Sequence, residues 1–242
     1  MNYRKMKKEF LNYVSSFDAS NEKITRKITH SIRVGELGSV FGKLLKLNKE
    51  ETQLLKVIGL LHDIGRFKQV SQYDTFYDNL SIDHGDLGVE ILFEQNLIRK
   101  FIKTDKYDDI IYHAIKNHNK FNIEGDLDSN TLKYVKLIRD MDKIDIFRLL
   151  DNDKLEKTIK KELLQKFYSK ELIDWKLVTN KDEETLGHLS FVFDLDFKES
   201  IELLNKKKIF TNYLKSIDVS AENKEEYKKI KEFIARETGL IV

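Results

Sequence analysis

Apolar residues in this chain recur at spacings of three and four almost from end to end, and strict apolar–polar alternation rarely lasts beyond four or five positions. That is the helical period, in which residues i, i+3, i+4 and i+7 share a face. Proline would interrupt such a pattern, and none occurs in 242 residues, which permits long helices. The pattern predicts an all-α chain with helices over roughly 2–16, 22–46, 48–64, 83–95, 107–119, 129–151, 154–169, 183–193, 197–216 and 221–238. Asn48 reads as an N-cap with Glu50 and Glu51 in the first turn, and Gly65 as the stop of that helix. The segments "RFKQVSQYDTFYDNLSI" and "NKFNIEGDLDS" read as the two long loops. No repeat, low-complexity tract or Gly/Pro/Ser linker divides the chain. Residues 1–19 are therefore expected to form a helix on a core of 20–150, with 151–242 as a C-terminal helical extension of the same globular unit.

Composition narrows the chemistry. Without cysteine there is no thiolate nucleophile and no sulfur-ligated metal, so any metal must be held by histidine and carboxylate. The 43 Lys+Arg against 41 Asp+Glu leave a net charge of +2, so no extended nucleic-acid surface is expected. The start "MNYRKMKKEFLNYVSSF" lacks the apolar stretch of a signal peptide, and no window approaches about 18 uncharged apolar residues. A cytoplasmic protein with no membrane contact is expected.

The histidines carry the chemistry through their joint pattern. In "VIGLLHDIGRFKQ", His62 follows Ile58 by four and Leu55 by seven, on the apolar stripe, and Asp63 lies about 100° further round. Asp140, in "LIRDMDKIDIF", is in register with Leu137, Ile144 and Phe147; a carboxylate there is costly unless paired or metal-bound. Asp142 reads as facing solvent. His84 precedes Leu87 and Ile91 by three and seven. His118 follows Ile111, Ala114 and Ile115 by seven, four and three, whereas His113 has mostly polar neighbours at those spacings, so His118 is the better ligand candidate of the two. His30 stands one turn before Arg33, with Val34 and Leu37 continuing its face, and His188 reads as structural or superficial. Arg33, Arg66 and Lys143 each follow His30, Asp63 and Asp140 by three; they either bind phosphate and stabilise transition-state charge or pair with nearby acids. Asp83 or Asp145 could orient a ligand imidazole.

The ordered set His30, His62–Asp63, Asp140 resembles the H…HD…D pattern of the HD-domain superfamily of metal-dependent phosphohydrolases, over about residues 20–150. His84 and His118 resemble the extra histidines of its two-metal branch. That resemblance implies an HD-domain helical bundle, with one ion held by His30, His62, Asp63 and Asp140 and a second by Asp63, His84 and His118. "HDIGRF" is also similar to the HD-GYP phosphodiesterases, but the GYP element is absent, so cyclic-dinucleotide specificity does not follow. Nitrogen and carboxylate donors suit Fe, Mn, Zn, Ni or Co, in one or two copies. The resemblance implies cleavage of a phosphoester, in a nucleotide, cyclic nucleotide or small phosphorylated metabolite, by a metal-bridging hydroxide. Asp63 would be the pivotal residue, with Arg33, Arg66 and Lys143 about the phosphate. A di-iron oxygenase and a non-catalytic nucleotide-sensing domain are the alternatives within the superfamily.

Overall fold

The computed structural model describes residues 1–149, 154–155 and 158–242. The chain separates into two compact units, Met1–Asp142 and Lys143–Val242. The first contains α1 (Tyr3–Val14), α2 (Glu22–Leu44), α3 (Lys49–Leu61), α4 (Ile64–Tyr73), α5 (His84–Val89), α6 (Ile98–Phe101), α7 (Asp108–Asn117) and most of α8 (Ser129–Ile146). The second contains the end of α8, then α9 (Lys161–Tyr168), α10 (Lys181–Ser190), α11 (Lys198–Lys206), α12 (Ile209–Ser216) and α13 (Lys224–Thr238). The all-α expectation holds; the exception is a parallel pair of two-residue strands, β1 (Lys154–Leu155) and β2 (Asp218–Val219). No helix of the described residues is long and apolar enough to cross a membrane.

The first unit is built around α2 and α3. Their seam buries Val34, Leu37 and Phe41 against Leu54, Leu55 and Ile58, all at most 2% exposed. Gly59 makes this approach possible, because a Cβ there would lie 2.8 Å from the Val34 carbonyl oxygen. Asn48 caps α3 in a full capping box with Glu51, which satisfies two backbone amides that the helix start would leave unpaired.

Gly65 does not stop the chain's helical course, contrary to the sequence reading. The break comes earlier, at His62 and Asp63, where Asp63 leaves the helical region at φ −97° and ψ 19°, and α4 restarts at Ile64. Gly65 is small for another reason: a Cβ on it would fall 2.3 Å from the His84 carbonyl oxygen and 2.8 Å from the Gly88 nitrogen. α4 and α5 thus touch backbone to backbone at the histidine that begins α5. The long loop expected after Gly65 is shortened to 74–83, with a single 3-10 turn at Asp78–Leu80.

In the second unit, the helix expected over 154–169 begins only at Lys161, residues 154–155 being extended. The helix expected over 197–216 is cut into α11 and α12 by Lys208, which takes a left-handed conformation at φ 53°. Phe147 packs edge-on against Phe210, and Phe167 against Phe193.

Candidate metal centre

Helix ends and two helix interiors deliver the site. His30 projects from α2, His62 caps the C-terminus of α3, Asp63 opens α4, His84 is the first residue of α5, His118 caps the C-terminus of α7, and Asp142 lies on α8. All except Asp142 are at most 4% exposed. His30, His62 and Asp63 form one group able to hold a metal ion, His62, His118 and Asp142 a second, and Asp63, His84 and His118 a third.

Asp63 divides its two oxygens between the histidine pairs. Oδ2 lies 3.4 Å from His30 Nε2 and 3.5 Å from His62 Nε2. Oδ1 lies 3.4 Å from His84 Nε2 and 3.6 Å from His118 Nε2. Asp142 Oδ1 closes the first side, at 3.0 Å from His30 Nε2 and 3.6 Å from His62 Nε2.

The tautomers decide what this cluster can accept. His62 Nδ1 is 2.8 Å from the Gly59 carbonyl and His118 Nδ1 is 2.7 Å from the Ile115 carbonyl. A carbonyl only accepts, so both Nδ1 atoms carry the proton. His84 Nδ1 likewise faces Asp78 Oδ2 at 2.6 Å. In each neutral ring the lone pair is then on Nε2, pointing into the cluster. Yet His84 Nε2 and His118 Nε2 are 2.9 Å apart, and His30 Nε2 and His62 Nε2 are 3.2 Å apart. For His84 and His118, whose Nδ1 protons are both committed, two inward lone pairs at that separation repel unless a cation lies between them. A proton is a poor choice, because burial, with the Arg66 charge, depresses His84 to about 4 and burial depresses His62 despite Asp63 and Asp142. A metal ion fits: nitrogens about 2.0–2.1 Å from a shared ion stand about 2.9–3.4 Å apart for right-angled to tetrahedral arrangements.

The carboxylates are ready for such an ion. Burial works to raise Asp63, but the Lys27 ammonium and the surrounding imidazoles hold it well below the usual carboxylate range. Asp142 behaves alike: burial opposes ionisation, and the neighbouring His30 and His62 imidazoles prevail. Asp78 is also held down, through His84 and Arg66, against its burial.

Several sequence expectations land elsewhere. Asp140 is fully buried but belongs to none of the three groups; the α8 carboxylate that reaches the histidines is Asp142. The apolar stripe identified Asp140 as inward, but the neighbours of Asp142 are the polar imidazoles of His30 and His62, so polarity could not separate Asp142 from a solvent-facing residue. Arg66 spends its Nη1 on Gln69, the Phe76 carbonyl and Asp78 at 2.6–2.8 Å, while its Nε lies 3.6 Å from Asp63 Oδ1. Lys143 belongs to the second unit, where Nζ lies 2.6 Å from Asp194 Oδ2. Arg33 sits half-buried on α2, one turn beyond His30. The imidazole of His84 is oriented by Asp78, not Asp83, which caps α5 and binds Lys120. Asp145 lies in the second unit, with Arg148 3.7 Å away. His113 is 3.6 Å from Asp109, and His188 stacks near Trp175; neither belongs to a metal-holding group.

Two contacting residues were not among the sequence expectations. Lys27 places Nζ 2.6 Å from Asp63 Oδ2, and Asp78 gathers His84, Arg66, Gln69 and Asn119. Lys27 is three residues before His30, a spacing that could have flagged it.

Comparison with known proteins agrees with this geometry. No curated protein and no solved structure matches the chain. Residues 28–146 match the family model of the HD domain, a stretch that includes every histidine and carboxylate of the cluster. By this match residues 28–146 are a member of the HD-domain superfamily.

Proposed function

We propose that the protein hydrolyses a phosphoester, in a nucleotide, cyclic nucleotide or small phosphorylated metabolite, with divalent metal ions held by the buried cluster. The observation that carries this reading is the set of Nε2 atoms whose lone pairs converge because their Nδ1 protons are committed elsewhere. His30, His62, Asp63 and Asp142 would hold one ion, and Asp63, His84 and His118 a second. Bound there, a pair of Fe, Mn, Zn, Ni or Co ions supplies a nucleophile drawn from water near neutral pH and charge to clamp phosphoryl oxygens.

The chain's own residues do the rest. Gly59, Ile115 and Asp78 lock the rings of His62, His118 and His84 in the tautomer that presents Nε2, so these rings need no reorientation on binding. Asp63 joins the two histidine pairs through separate oxygens, which keeps them in one cluster. Two divalent ions bring four positive charges against the two carboxylates, so the loaded site attracts an anion. Arg66, fixed by Asp78 and the Phe76 carbonyl, adds a positive charge at the Oδ1 side.

The test is a panel of phosphoesters offered to the metal-loaded protein with and without air. Release of phosphate that is independent of oxygen is the expected result. Oxygen consumption with no turnover under anaerobic conditions would assign the cluster to oxygenase chemistry instead, and binding of nucleotides without turnover would assign it to sensing.

A further inference from the structure

Lys27 stands one turn before His30 on α2, which brings its ammonium 2.6 Å from Asp63 Oδ2. That oxygen is the one facing His30 Nε2 and His62 Nε2 at 3.4 and 3.5 Å. One of the oxygens best placed for a metal ion is therefore already held by a positive charge of the protein. On its other side Lys27 lies over the ring of Phe76, with Nζ 5.4 Å from the centroid. Its side chain is 19% exposed, whereas that of Asp63 is 3% exposed, so the ammonium sits at the lip of the cluster.

A carboxylate oxygen that takes a divalent ion at about 2.0–2.2 Å cannot keep an ammonium in contact without bringing like charges within a few ångströms. One of the two must leave. The lysine can: its head is a point charge on a flexible four-carbon stem, free to swing off Oδ2 by rotation about that stem. Arg66, the cation nearest the other oxygen, is not free in this way, because Nη1 is bound to Gln69, Phe76 and Asp78.

We propose that Lys27 is a displaceable counter-cation of the metal centre: it neutralises Asp63 in the empty site, yields Oδ2 to the incoming ion, and then turns to the phosphoryl group of the substrate. This rests on the metal-dependent hydrolase reading. It makes Lys27 an opponent of metal binding and a supporter of anion binding, a combination that a purely structural lysine would not show.

The full chain and its Lys27→Met and Lys27→Arg variants provide the test. Mn²⁺ affinity is measured by competition with a chelating indicator, and inorganic phosphate affinity of the Mn²⁺-loaded protein by calorimetry. Lys27→Met should bind Mn²⁺ about tenfold more tightly and phosphate about tenfold more weakly, while Lys27→Arg stays near the wild type in both. Unchanged or weaker Mn²⁺ binding in Lys27→Met, undiminished phosphate binding, or an arginine variant that behaves like the methionine one overturns the proposal. A wild-type protein that binds Mn²⁺ but hydrolyses no phosphoester overturns the hydrolase reading alone, since the opposed shifts are read without turnover. A wild type that binds no Mn²⁺ overturns both.

Discussion

His84 shows how much a single side chain is asked to do: it is buried, fixed by Asp78 through Nδ1, and 2.9 Å from His118 through Nε2. Replacing Asp78 by Ala should weaken metal binding by about 10–100-fold with little change in helix content, measured by chelator competition and circular dichroism. The depressed titration of His84 also sets a pH dependence for the metal-free protein. Unfolded, the ring protonates near its ordinary 6.5; folded, it stays neutral down to about 4. Unfolding therefore takes up a proton between those values, and stability falls as pH is lowered through that window, by about 3 kcal/mol for His84 alone. Thermal melts from pH 7 to pH 4 should show this slope, and His84→Gln should flatten it. Asp63 and Asp142 act further down: their stabilisation holds above the ordinary carboxylate value of 3.8 and is lost in stronger acid. At this scale the inward register of His62, His84 and His118 was legible, because apolar neighbours marked their face. Asp142, Asp78 and Lys27 were not, because each faces a polar lining that looks from sequence like a wet surface.

Elements place these residues through two close helix contacts. Gly65→Ala would force a Cβ to within 2.3 Å of the His84 carbonyl, so α4 and α5 must part. A loss of about 1–3 kcal/mol is expected, accompanied by weaker metal binding because His84 rides on that contact. Asn48→Ala makes a useful contrast: it removes the cap of α3 and should cost about 1 kcal/mol while leaving metal affinity unchanged. Melting curves and metal titrations on both variants distinguish them. The cap was legible from Asn48 and the glutamates behind it. α4 was not, since glycine after a helix most often signals its end, and only the packing of α5 reveals that Gly65 is small to admit a neighbour. The division of 197–216 into two helices was hidden for a related reason, because a lysine in the left-handed region leaves no compositional mark.

For the whole molecule, the ligands lie within Met1–Asp142, and Lys143–Val242 forms a unit of its own. Calorimetry should accordingly resolve two unfolding steps, only one of which moves when metal is added, by about 2.7 kcal/mol at a hundredfold excess over Kd. The helical class was legible throughout because the period of three and four pervades the sequence, whereas no linker composition marked the division within α8. The central claim is that the six side chains form one centre for divalent ions. Its most direct test is elemental analysis of the purified full-length protein and its Asp63→Ala variant after incubation with Mn²⁺ and removal of excess ion. The wild type should retain up to two equivalents per chain and the folded variant essentially none; equal retention by both, or none by either, would contradict the account.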